Sequence, residues 1–299
     1  MYKVNFPDGI DLKKIYDSGQ CFRWFPFDDG YIILAMGHAL FVRQDGENTI
    51  SLDCTGEEYE NIWTGYFDRD TDYSAIRRSV RADDEFLVRA AANGDGLRIL
   101  RQDPWEMIIT FIISQRKNIP AIRSCVEKLC KAAGDEIPTE NLSPSLRKKD
   151  KKFYDFPSPD QILSISCRKL SGSDKVCIFK EKGLESCSLG YRMPYLPAAA
   201  EYVKEKNSIS ALSDMPDEKL LESLMEIKGV GIKVANCAAL FGFHRMNAFP
   251  VDVWMKRALE RYPAEFDFEK MYRPYAGAIQ QYMFMEIRRE SRDNTVKSV

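Results

Sequence analysis

The rhythm of apolar and polar positions changes once along this chain, near residue 103. Before it come short runs rich in aromatic and β-branched residues. These are Cys21-Phe-Arg-Trp-Phe25, Tyr31-Ile-Ile-Leu-Ala-Met36, Ala39-Leu-Phe-Val-Arg43 and Thr49-Ile-Ser-Leu52. The turn dipeptides Asp29-Gly30 and Asp45-Gly46 separate them. That pattern predicts an antiparallel sheet, followed by a helical stretch over 72–92. Beyond residue 103 the spacing is helical. Pro104-Trp-Glu-Met-Ile-Ile-Thr-Phe-Ile-Ile-Ser114 has Asp103 as N-cap and a proline just inside. Ile119, Ile122, Val126 and Leu129 mark a helix over 119–132. Asp214 is placed to cap a helix with Leu220, Leu221, Leu224 and Met225 on its apolar face. The polar segment 138–156 reads as a surface loop, and its basic run Arg147-Lys-Lys-Asp-Lys-Lys152 either touches phosphates, acts as a targeting signal or, the favoured reading, only solvates the loop. The stretch from about Ser291 is polar and expected to fray. The fold class is therefore α+β. An N-terminal antiparallel β-sheet domain (1–102) precedes a mostly α-helical domain (103–290) and a polar tail (291–299).

Composition narrows the function classes. Apolar residues make up 44% of the 299 and charged residues 29%, enough for a sizeable core. The longest apolar run, Met107–Ile113, is far short of the about 20 residues a membrane-spanning helix needs. The N-terminus lacks an apolar signal core, so an intracellular protein is expected, with cytoplasm, nucleoid or nucleus left open. Eight cysteines contain no Cys-x-x-Cys pair, and His38 and His244 are the two histidines. This speaks against zinc, iron–sulfur or His-rich sites. Charge is uneven. Residues 1–100 hold 11 basic against 18 acidic side chains, and the remainder 32 against 27. A polyanionic partner should prefer the later part.

The chemistry concentrates in 221–259. Gly229-Val230-Gly231 stops one helix, and a second begins at once and runs to about Phe241. Two glycines permit positive φ and close approach, and the helix start presents amides to an anion. Helix–Gly-x-Gly–helix is thus a sequence-independent phosphate clamp, although an ordinary helical hairpin has the same pattern. Lys233 sits in the first turn of the second helix, where the dipole disfavours a cation. Only a neutral amine attacks carbon, so this position suits a nucleophile. It equally suits a solvated lysine. Asp252, in Pro250-Val-Asp-Val, is placed to cap the next helix, and is either a plain cap or a fixed carboxylate.

Gly-Val-Gly-Ile-Lys233-Val-Ala-Asn-Cys, followed by Pro-Val-Asp252, resembles the helix–hairpin–helix DNA glycosylases with a catalytic lysine and aspartate. Three segments narrow the resemblance to the 8-oxoguanine DNA glycosylase branch. They are Ser18-Gly-Gln-Cys-Phe-Arg-Trp24, Leu189-Gly-Tyr-Arg192, and Tyr275-Ala-Gly-Ala-Ile-Gln280 with Phe284. The matches run in family order from residue 18 to about 288.

The resemblance implies a TBP-like sheet domain and a glycosylase domain acting as a monomer on double-stranded DNA, with no membrane partner. It implies Lys233 as Schiff-base nucleophile and Asp252 as charge stabiliser or general base. The Gly19 carbonyl would face the N7–H that distinguishes 8-oxoguanine from guanine, with Gln280, Phe284 and Cys237 completing the base pocket. Gly229, Val230 and Gly231 would hold phosphate. Tyr191 would fill the vacated stack, and Arg192 would read the orphaned cytosine. Arg116, Lys117, Asn118 and Trp254 also fall at DNA-contacting positions. Two departures stand out. The mammalian pattern has asparagine at Arg116 and arginine at Ala121, so weaker opposite-base discrimination is expected. Trp254 replaces a phosphate-contacting histidine. The alternatives are a related glycosylase for formamidopyrimidine or an alkylated purine, or a non-catalytic DNA-binding protein of the same hairpin type. A lysine enzyme acting on small carbonyls would need an alternating strand–helix pattern that this chain lacks.

Overall fold

The computed structural model describes residues 1–147, 151–166 and 183–297. Positions 148–150 of the basic run, Cys167 and Cys177 lie outside the described residues. Five antiparallel strands form one sheet: β1 (Tyr2–Asn5), β2 (Trp24–Phe27), β3 (Gly30–Ala35), β4 (His38–Gly46) and β5 (Thr49–Leu52), in the order β1-β5-β4-β3-β2. The expected sheet is present, preceding a mostly helical remainder. Trp24 pairs with Ile33, and Phe27 with Gly30 across the Asp28-Asp29 turn. At the other end Tyr2 pairs with Leu52, so β1 is an edge strand that the sequence pattern did not single out. Its burial does alternate, with Tyr2 and Val4 turned inward and Lys3 and Asn5 exposed, but four residues at the chain start give that period-2 signal little length.

Packing divides the chain into two compact units. One comprises Met1–Cys21, Val42–Arg101 and Ala239–Val299, and the other Phe22–Phe41 and Gln102–Ala238. In the first, Arg98 is fully buried and its charge is distributed. It donates to Asp8 Oδ2 (2.7 Å) and to the carbonyls of Gly9, Phe67, Asp68 and Thr71. The stretch 72–92 is two helices, Tyr73–Arg78 and Glu85–Asn93, capped by Asp72 and Asp84. The final helix runs Ala276–Lys297, past the start of the polar stretch.

In the second unit, the helix Pro104–Ser114 is buried almost all round, as its unbroken apolar run requires. Its Glu106 faces Arg23 Nη1 at 3.2 Å. Burial pushes Glu106 up to about 7 despite that partner. Two expectations need correction here. The segment 138–156 is not merely solvated. Leu146 and Phe153 pack with Ile32, Leu34, Ala39, Phe41 and Ile137 in one cluster, and Leu142 bridges Ala39. Asp214 is the C-cap of a short helix, Ile209–Ser213. The following helix, Asp217–Met225, begins after Pro216, buries Leu220 and Leu224, and leaves Met225 exposed.

Candidate functional site

The hairpin belongs to the second unit. Gly229 has φ +90°, and a Cβ there would stand 2.4 Å from the Tyr195 ring, so glycine is required on two counts. Gly231 differs from the expectation of two strained glycines. It needs no positive φ, and a Cβ would meet nothing within 4 Å. Its small size keeps the start of the helix Ile232–Phe241 open. Exposed Ile232 stands beside it, and the first-turn amides of this helix have no intrahelical acceptors.

Lys233 Nζ lies 5.2 Å from the centre of the Phe111 ring. Among the described residues no carboxylate comes within salt-bridge distance of it. Cys237 follows one turn later and is buried.

Gln115, which no motif singles out, ties this hairpin to the Gly-Tyr-Arg segment. Its Nε2 donates to Gly229 O (3.0 Å) and Ile112 O (3.1 Å), while its own carbonyl accepts from Arg192 Nη2. Arg192 is buried, donates also to Leu189 O, and stacks on Tyr191 at 4.3 Å. Tyr191 itself is 51% exposed. The segment is anchored from behind, because Ser188, in a left-handed conformation, accepts from Lys117 Nζ at its carbonyl (3.1 Å) and Lys128 Nζ at its hydroxyl (2.9 Å). Asn118 caps the helix Ile119–Ala133 through Ala121 N–H. Arg116 is exposed with φ +52°. Hydrogen bonds through Gln115 link Gly229 to Arg192, Tyr191 joins by stacking under Arg192, Lys117 holds the adjoining Ser188, and Asn118 serves as a cap.

The first unit holds the remaining residues. Asp252 caps the helix Val253–Leu259 as expected. One oxygen, Oδ1, accepts both Trp254 N–H (3.0 Å) and Met255 N–H (2.9 Å), and Oδ2 has no partner among the described residues. A carboxylate fixed by one oxygen and open at the other can act on something placed beside it. Trp254 is half-buried beneath Arg257, which sits 5.0 Å from its ring.

Gly19 has φ +77°, and its carbonyl meets no donor among the described residues. Its flanks are fixed. Ser18 Oγ donates to Ile15 O, and Gln20 Nε2 donates to Ser18 Oγ and Arg98 O. Gln20 Oε1 accepts from Leu100 N–H. Gln280 is buried, with its amide donating to Pro250 O (2.9 Å) and its oxygen accepting from Gln281 (2.8 Å). One amide hydrogen and one lone pair remain for another partner. Phe284, one turn on, is half-buried, with Arg288 5.1 Å from its ring centre. Among the described residues no group of His, Cys, Asp and Glu could hold a metal ion, and no helix is long and apolar enough to cross a membrane.

A family model for the N-terminal domain of 8-oxoguanine DNA glycosylase matches residues 3–108. A solved structure of Clostridium acetobutylicum 8-oxoguanine glycosylase/lyase, in complex with double-stranded DNA containing cytosine opposite 8-oxoguanine, is 30% identical. It superposes with a TM-score of 0.79 over 97% of this chain and 99% of that one. A probable N-glycosylase/DNA lyase of Methanothermobacter thermautotrophicus is 28% identical over 78% of this chain and 75% of its own. An N-glycosylase/DNA lyase of Saccharomyces cerevisiae is 27% identical over 84% and 67%. With similarity running through both units, the chain belongs to the 8-oxoguanine glycosylase/lyase family of helix–hairpin–helix DNA glycosylases.

Proposed function

We propose that this protein removes 8-oxoguanine from duplex DNA and then nicks the abasic strand by Schiff-base chemistry. The observation that carries this reading is Lys233. It is an amine in the first turn behind a glycine hairpin, set over an aromatic face, with no carboxylate within salt-bridge distance among the described residues. In this account the hairpin holds a backbone phosphate and the lesion leaves the stack, as chemistry on a duplex base requires. Tyr191 fills the gap. The Gly19 carbonyl accepts the lesion's N7–H and repels the N7 lone pair of guanine. One hydrogen bond is worth only about 0.5–1.5 kcal/mol net, so that repulsion carries much of the selectivity. Gln280 addresses the Watson–Crick edge and Phe284 stacks on the ring.

The C1′–N9 bond breaks with its electron pair leaving on the base. Asp252 stabilises the cationic sugar and accepts a proton from the amine. Lys233 Nζ bonds to C1′, and opening of the sugar ring gives the imine. Loss of a C2′ proton then expels the 3′ phosphate. No cofactor takes part. The protein works as a monomer on intracellular double-stranded DNA.

The test is a duplex with one 8-oxoguanine opposite cytosine, read for free base and for a nick on the 3′ side. Both products are expected. Tight binding without base release would favour a non-catalytic DNA-binding protein. Release only from formamidopyrimidine or alkylated-purine duplexes would move the substrate. Exposed Arg116 and apolar Ala121 add a second expectation, weak preference for cytosine over adenine opposite the lesion. Each bidentate base contact is worth about 1–3 kcal/mol of discrimination. Ala121→Arg with Arg116→Asn should raise the cytosine-to-adenine ratio by about tenfold or more. An unchanged ratio contradicts this assignment.

A further inference from the structure

Among the described residues Arg288 forms no salt bridge. It follows Phe284 by four residues on the same helix face, and its guanidinium lies 5.1 Å from the ring centre, within cation–π range. Its Nη1 donates to the carbonyl of Asp17 at 3.0 Å, across 271 residues of sequence. Asp17 ends the helix Leu12–Asp17, whose carbonyl terminus favours a positive charge, and Gly19 lies two residues beyond.

Burial pulls the Arg288 pKa down and Arg292 acts in the same sense, while the fields of Asp17 and Asp252 oppose them. A methionine or leucine would fill this half-buried space without a charge to desolvate. The guanidinium therefore has to contribute something its bulk alone does not. A cation against one face of Phe284 withdraws π density from the ring and strengthens its stacking on an electron-rich purine. The same group holds the end of the helix that presents Gly19.

We propose that Arg288 is a positioning residue for oxidised-purine recognition, backing the Phe284 ring and tethering the Asp17 carbonyl so that stacking plate and Gly19 acceptor keep a fixed spacing. This rests on the reading of Gly19 and Phe284 given above.

Two substitutions test it, Arg288→Met, which keeps the bulk, and Arg288→Lys, which keeps the charge. Single-turnover base release from an 8-oxoguanine–cytosine duplex is compared with nicking of a preformed abasic duplex, which has no base to stack or read. A contact of this kind corresponds to roughly 2–30-fold in rate, so Arg288→Met should slow base release by about tenfold. It should slow abasic nicking by less, shifting the ratio of the two rates at least about fivefold, with Arg288→Lys in between. Equal slowing of both reactions, or base release within about twofold of the parent, overturns the proposal. Hydrogen exchange across residues 17–21 in the free protein reads the tether without substrate. Faster exchange in Arg288→Met supports it, and unchanged exchange overturns it. If the parent protein releases no 8-oxoguanine, the functional reading fails, and the exchange experiment still decides the tether.

Discussion

The segments around Gly19 and around Lys233 are built on opposite plans. Gly19 is held on every side. Ser18, Gln20, the Arg98 carbonyl and the Leu100 amide fix its flanks, and Arg288 pins Asp17 just before it. Lys233 has the face of Phe111 beside its amine and nothing that fixes it by a directed bond among the described residues. The difference matches the role proposed for each group. An acceptor that separates N7–H from an N7 lone pair discriminates only if it cannot retreat from the wrong base. A nucleophile that forms a bond to C1′ and then holds an imine through an elimination has to travel. Asp252 lies between the two plans, with Oδ1 anchored and Oδ2 open.

The sharpest way to break this comparison is Asp252→Asn, which keeps the capping oxygen and removes the charge. If Oδ1 serves the fold and the charge serves the reaction, stability should stay within about 0.5 kcal/mol of the parent. Base release should fall by about 10²–10³-fold, the scale of losing one preorganised electrostatic group. A large stability loss with a small rate effect would make Asp252 only a cap. A smaller effect is expected from the glycines. Gly229→Ala combines φ +90° with a clash against Tyr195 and should destabilise the protein by about 1–3 kcal/mol in thermal or denaturant unfolding. Gly231→Ala meets nothing and should leave stability within about 0.5 kcal/mol. Its effect should appear as weaker duplex binding, equal for damaged and undamaged DNA. Equal stability losses at both glycines would contradict the division of labour inside the hairpin.

The smallest effect on base release is expected from a residue that stands outside the proposed chemistry. Burial raises Glu106 from its ordinary 4.5 to about 7, so the folded state binds that proton more tightly than the unfolded chain. Its contribution therefore falls as pH rises from about 4.5 to about 7, by at most about 1.4 kcal/mol per pH unit. Glu106→Gln should flatten the pH dependence of stability across that window. Unaltered curvature would show that Glu106 does not titrate there.

Local grammar made part of this legible from sequence. The Gly229 turn, the Asp252 cap and the change from strand to helix spacing are each written within a few residues. Gln115 and Arg288 were not legible. No local motif singles either residue out, and their partners Gly229 and Asp17 are 114 and 271 residues away. Leu146 and Phe153 escaped because charge dominates 138–156 and their spacing fits neither period. Asp214 misled because the short helix Ile209–Ser213 carries no periodic pattern long enough to reveal whose cap it is.

The most direct test of Schiff-base catalysis by Lys233 is borohydride trapping on a labelled duplex with one 8-oxoguanine opposite cytosine, with Lys233→Gln as control. A covalent protein–DNA adduct that disappears in Lys233→Gln while duplex binding persists is the expected result. An adduct that survives the substitution would assign the nucleophile to another amine, and no adduct from the parent protein despite tight binding would contradict Schiff-base chemistry altogether.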